Sequence, residues 1–157
     1  MAVPLMMQWL IGTWFILSSD APIWLNGDKL LPTLNYTFVQ KKDTYKLLDE
    51  TRYTKNGKKK VIAGYDRLAK NDPSAFVWKG RGILFFVTSK WKVSLQDKDG
   101  AWAVIHYSKT LFTPDGVDII SRSRSLNDNT ISHIHQLMMQ DRELAKHAGK
   151  LKHISQQ

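Results

Sequence analysis

Gly12-Thr13-Trp14-Phe15-Ile16-Leu17-Ser18 is an apolar, strand-like run that opens on a glycine and a tryptophan. Near the far end of the chain Val117-Asp118-Ile119-Ile120-Ser121-Arg122 is a second such run, and it closes on an arginine. Between the two lie short β-branched and aromatic segments separated by turn chemistry: Asn26-Gly27, Asn56-Gly57, Asp72-Pro73-Ser74, Asp99-Gly100 and Pro114-Asp115-Gly116. Each turn has a mechanism, either a residue that tolerates positive φ or a side chain that bonds the neighbouring backbone. The segments are Ile11–Ser18, Leu34–Val39, Tyr45–Tyr53, Lys60–Leu68, Ala75–Lys79, Leu84–Leu95, Trp102–Thr110 and Val117–Arg122. About eight short strands with frequent turns predict a sandwich or a barrel.

The Asn56-Gly57 turn fixes a register. A two-residue type I′ loop sets Tyr53 opposite Lys60, Thr51 opposite Ile62, Asp49 opposite Gly64 and Leu47 opposite Asp66. Leu48, Glu50, Arg52, Val61, Ala63 and Tyr65 take the other face. Neither face is purely apolar, which suits a barrel whose interior admits polar groups better than a dry sandwich core. After Arg122 the period changes. Ile131, Ile134, Met138, Ala145 and Ala148 recur at helical spacing, with Asn127 or Asp128 to cap the start and Lys146, His147 and Lys150 at the end. A helix from about 128 to 148 is expected, packed outside the barrel.

The 157 residues fit one domain, with a barrel over about 10–123 followed by the helix. Six Trp, six Phe and five Tyr suit barrel walls and pockets. The absence of Cys excludes disulfides and thiolate chemistry and leans toward a reducing, cytoplasmic setting. The run Ala2–Leu17 has no charge, yet no basic residue precedes it and cleavage after it would remove Gly12-Thr13-Trp14. Export is the alternative, through that run acting as a leader or through a leader trimmed away. A transmembrane helix is not expected, since spanning takes about 20 apolar residues. The net charge of +9 favours anionic partners, although its only dense run, Lys55–Lys60, reads as a solvated hairpin tip.

Gly12 and Trp14, a strand-final Arg122 within Ser121-Arg122-Ser123-Arg124-Ser125-Leu126, and a trailing helix together resemble the lipocalin family of the calycin superfamily, in a form without disulfides. Ala63-Gly64-Tyr65-Asp66 is also similar, with Asp66 standing where a small residue is usual. The resemblance covers nearly the whole chain. It implies an eight-stranded up-and-down antiparallel β-barrel in which Arg122 packs across Trp14 and closes one end, so that a ligand enters at the other. Two departures stand out. The middle motif is half present as Asp97-Lys98-Asp99-Gly100, and Val77–Leu95 is long enough for an extra strand. The related fatty-acid-binding barrel would need two helices after its first strand, which the turn-rich, Pro-bearing Asp20–Pro32 disfavours.

The resemblance turns the Gly64 face inward, giving Thr51, Tyr53 and Ile62 as barrel wall; strand alternation adds Trp91 and Val93, and less directly Trp78, Trp102 and His106. No catalytic constellation is found: there is no G-x-S-x-G, and the adjacent Asp49 and Glu50 point to opposite faces. Asp49 and Asp66 share the Gly64 face, and enclosing both would raise one pKa. His133 and His135 diverge by about 200° on a helix and cannot share a metal. No metal ligand set and no cofactor is assigned. Three functions follow: binding or transport of a small hydrophobic or amphipathic molecule, such as an anionic lipid paired by Arg52 or Arg81 at the mouth; a nucleic-acid or acidic-surface binder using Lys90-Trp91-Lys92; or an enzyme on the same scaffold.

Overall fold

In a computed structural model, which describes residues 2–111 and 113–157, eight antiparallel strands follow one another around a closed barrel. They are β1 (Gly12–Ser19), β2 (Leu30–Lys41), β3 (Thr44–Lys55), β4 (Lys58–Leu68), β5 (Ala75–Gly80), β6 (Thr88–Gln96), β7 (Trp102–Tyr107) and β8 (Gly116–Ser121). Each pairs with the next in sequence, and β1 closes the ring by pairing with both β8 and β2. A two-residue strand β9 (Lys152–His153) adds to β1 where β2 has left it. Where the β1–β2 ladder ends, Gln156 Nε2 donates to Ile16 O at 2.9 Å and Pro32 O at 2.8 Å, pinning the C-terminal tail over the seam.

The Asn56-Gly57 hairpin has the register its turn dictates: Tyr53 faces Lys60, Thr51 faces Ile62, Asp49 faces Gly64 and Leu47 faces Asp66. Both turn residues take the left-handed conformation, with φ of 51° and 70°. The 81–87 segment is a connection with one 3-10 turn, Gly82–Leu84, so Val77–Leu95 holds two strands and no third.

Four α-helical segments lie outside the strands among the described residues. α1 (Leu5–Leu10) lies in the uncharged N-terminal run and buries Met7 and Leu10 in the barrel core. α2 (Pro22–Leu25) is a single turn that starts on proline and buries Trp24. The expected helix over 128–148 is in fact two pieces, α3 (Asp128–Gln140) and α4 (Ala145–Ala148). Asn127 caps α3 by accepting from Thr130 N at 2.8 Å. Asp141 ends it, because its carboxylate captures the amides of Glu143 and Leu144 and so competes with helix propagation. Ile134, Met138, Leu144 and Ala148 pack on Trp102, Val104, Val117 and Ile119, forming a second core outside the barrel.

Candidate functional site

The barrel has a closed end and an open end. At the closed end the Arg122 guanidinium carbon lies 3.6 Å from the Trp14 ring centroid. Its nitrogens donate to Thr13 O at 3.1 Å and Trp9 O at 2.8 Å. Trp9 covers Trp14 at 4.8 Å, and Trp14 Nε1 donates to Leu10 O at 2.9 Å. Gly12 is required there: its φ is 107°, and a Cβ would stand 3.1 Å from the Arg122 guanidinium. Above this plug, Leu47, Phe76, Val93, Ala103 and Ile120 fill the lower barrel.

The upper barrel is open, with a cavity of about 720 Å³. Its wall includes Leu34 and Tyr36 from β2, Asp49 and Thr51 from β3, Ile62 from β4, Trp78 from β5, Trp91 from β6, Ile105 and Tyr107 from β7, and Asp118 from β8. The mouth is formed by Ile23 and Trp24 of α2, by Leu84, Phe86 and Val87, and by Thr110, Thr113 and Pro114. Ile83 and Phe85 stand exposed on the same lip.

Of the wall residues expected from sequence, Thr51, Ile62, Trp78 and Trp91 border the cavity. Val93 points the same way but lies below it, in the packed core. Tyr53 sits at the rim beside Lys55, Lys58 and Lys60, with its ring edge-on to Trp24 at 5.9 Å. Trp102 and His106 are corrections. Both point out of the barrel, Trp102 beneath α3 and His106 beside His147. Covered by the barrel core on one face and helices on the other, β7 is apolar on both, so alternation carries no sign of which face is inside. Arg52 pairs with Glu50 and Arg81 lies by Tyr65, and neither borders the cavity.

Among the described residues, the side chains in the cavity wall that can carry charge near neutral pH are carboxyls. Asp49 and Asp66 share a side-chain hydrogen bond, and Trp91 Nε1 donates to Asp66 Oδ1 at 2.8 Å. Burial, then the Asp66 charge, holds the Asp49 carboxyl well above the usual carboxylate range. Burial lifts Asp66 to about 6, while the bonds from Asp49 and Trp91 restrain the rise. Buried side by side, the two carboxyls favour holding one proton between them. Asp118 accepts from Ser19 Oγ at 2.6 Å and Tyr107 at 3.4 Å, and burial still pushes it to about 7. The buried Tyr36 phenol is raised by burial and by the charges of Asp49, Asp66 and Asp118. Among the described residues, no Lys, Arg or His borders the cavity. A carboxyl pair in the Gly64 face was legible in the sequence; Asp118 was not, since its strand is apolar on either side.

A closed up-and-down barrel, sealed by Arg122 over Trp14 and open at the other end, with a helix laid on its outer wall, is the lipocalin fold. Solved lipocalins match it along its length. A lobster apocrustacyanin is 13% identical over 96% of this chain and 79% of that one, with a TM-score of 0.69. Insecticyanin from the tobacco hornworm is 15% identical over 95% of this chain and 79% of its own, at 0.70. The siderocalin Ex-FABP, described as having dual ligand specificities, is 15% identical over 95% of both chains, at 0.67. No protein-family model matches the chain, and no curated protein sequence does. At such identities the likeness speaks to fold alone, and the ligand must be argued from the wall.

Proposed function

We propose that the barrel binds a small, mainly apolar molecule that carries a protonated amine or comparable donor. The observation behind this reading is the pairing of an aromatic wall with internal carboxyls and no internal cation. Trp24, Tyr36, Trp78 and Tyr107 offer π-faces, and Asp49 and Asp118 offer acceptors. A desolvated ammonium is favoured by both. Burying the apolar remainder contributes about 25 cal/mol per Å². An anionic lipid head, the expectation drawn from overall charge, would meet carboxyls where it needs a cation. Trp91 is buried between Phe76 and Tyr36, so its ring offers no platform for stacked bases.

The test is tryptophan-fluorescence titration with dodecylamine, dodecanol and dodecanoate at pH 7.5. Dodecylamine should bind tightest and dodecanoate weakest, and Asp118→Asn should weaken the amine about tenfold or more while leaving the alcohol nearly unchanged. Dodecanoate binding as tightly as the amine sinks the reading.

A further inference from the structure

On the outer wall, away from the cavity, two histidines and an aspartate converge from three separate elements. His106 projects from the outward face of β7, Asp115 from the turn before β8, and His147 from α4. Each offers one ligand atom, and the three atoms lie within 4.8 Å of one another. Asp115 Oδ2 is 3.3 Å from His147 Nε2 and 3.9 Å from His106 Nε2. At the corners of a tetrahedral zinc site with bonds of about 2.0–2.1 Å, neighbouring ligand atoms stand about 3.3 Å apart. Only small side-chain movements separate this arrangement from one that closes on a cation.

The hydrogen bonding points the same way. His147 is almost wholly buried, and its Nδ1 lies 2.5 Å from Asp20 Oδ2. Asp20 is itself held, since its Oδ1 accepts from Val117 N at 2.8 Å. This bond keeps the proton on Nδ1 and turns the Nε2 lone pair toward Asp115. Glu143 Oε2 stands 3.6 Å from His106 Nδ1, too far for a hydrogen bond, and pairs with Lys92 Nζ at 3.2 Å. A carboxylate hydrogen-bonded behind the imidazole, as Asp20 is behind His147, is the arrangement that orients metal-ligating histidines. Both Nε2 atoms are buried, and neither has a hydrogen-bond partner. If packing were their only role, two buried polar atoms would go unsatisfied.

We propose that His106, Asp115 and His147 bind a divalent transition cation of the zinc type, with a fourth position left to water. Two imidazole nitrogens and one carboxylate suit zinc, cobalt, nickel or copper better than magnesium or calcium, which prefer oxygen. Lys146 Nζ, 3.1 Å from Asp115 Oδ2, is the competing cation; it is exposed and free to swing away. The site ties α4 to the loop that carries Thr110, Thr113 and Pro114 at the cavity mouth.

The full chain, stripped by chelator, is titrated with Zn²⁺ by calorimetry and with Co²⁺ by visible absorption. One cation per chain is expected, with the intense d–d bands of a low-coordinate cobalt site. Asp115→Asn and His106→Gln, both outside the buried core, should each weaken binding by about 100-fold or more, beyond the 10–100-fold of an outer-shell change. Lys146→Met should tighten it. A His133→Gln/His135→Gln/His153→Gln variant removes the other three histidines and should bind as the parent does. No one-to-one binding, unchanged affinity in Asp115→Asn, or binding lost in the triple variant overturns the proposal.

Discussion

Trp91 donates its indole N–H to Asp66 Oδ1 at 2.8 Å while its ring stacks at 4.7 Å on Phe76 and 5.9 Å on Tyr36. One side chain thus forms the boundary between the filled lower barrel and the open cavity. Its donation also favours the charged form of Asp66 against the burial that raises it. Asp66 is fully buried, and the Trp91 N–H helps to make that acid tolerable.

Trp91→Phe should therefore cost more than the difference in ring area. It takes the indole donor from Asp66 Oδ1 and leaves the pair only the bond that the two carboxyls share. An unsatisfied buried acceptor costs about 1–3 kcal/mol. The expected fall in Tm, read by calorimetry at pH 7.5, is roughly 5 °C. Adding Asp66→Asn, whose amide needs no charge stabilisation, should recover part of that loss.

The internal acids give the stability curve an unusual slope. A carboxyl raised in the folded state holds its proton more tightly there than in the unfolded chain, so unfolding releases protons above the ordinary carboxylate pKa. Asp118 goes from 3.8 to about 7. Its favourable contribution is complete below pH 4 and is lost as pH rises through 7, a change on the order of 2–4 kcal/mol. His106, lowered chiefly by burial and then by His147, works in the opposite direction, losing stability as pH falls through 6.5. Comparison with Asp118→Asn separates the two. The asparagine keeps an acceptor for Ser19 Oγ and should raise Tm by several degrees at pH 8 with little gain at pH 5. Equal effects at both values would mean that Asp118 does not titrate in this window.

Arg122→Met should destabilise without touching the cavity. It removes the cation stacked on Trp14 and two donors to backbone carbonyls that the lost helix-end contacts would leave bare. The expected cost is about 2–4 kcal/mol. Arg122→Lys should rescue little, since an ammonium cannot stack flat and reach Thr13 and Trp9 together. Amine affinity of the folded fraction should stay within twofold of the parent. A large change in affinity would show that the closed end is coupled to the cavity.

What the sequence disclosed follows from which constraints are local. The type I′ turn needs positive φ at both Asn56 and Gly57, so the β3–β4 register followed residue by residue, and with it Thr51, Ile62 and the approach of Asp49 to Asp66. Gly12, Trp14 and Arg122 were legible because a left-handed glycine beside a stacked arginine leaves a signature in residue type. Phase was lost at β7, where both faces are covered, and a register shift between Val93 and Leu95 interrupts the ladder leading to it. The helix over 128–148 kept its apolar spacing through Asp141, so the break was set by a side chain that periodicity does not weigh. His106, Asp115 and His147 come together only because α4 folds back on β7, and nothing in their spacing announces it.

The Trp78 side of the wall depends sterically on Gly64. A Cβ there would stand 2.3 Å from the Trp78 indole and 2.6 Å from Lys79 O. Trp78 can rotate away, into the cavity; the carbonyl belongs to the β4–β5 ladder, where Gly64 pairs with Gly80, and cannot. Gly64→Ala should therefore cost about 1–3 kcal/mol and displace Trp78 into the ligand space, so that dodecylamine affinity falls along with stability. Gly57→Ala is the matched control. Nothing lies within 4 Å of its Cβ, but its φ is 70°, so it carries about 1–2 kcal/mol of backbone strain at a solvent-exposed hairpin tip. The two variants should lose comparable stability, yet only Gly64→Ala should lose ligand, measured by fluorescence titration below the melting range of both. Equal affinities would mean that the Trp78 side of the cavity does not hold the ligand.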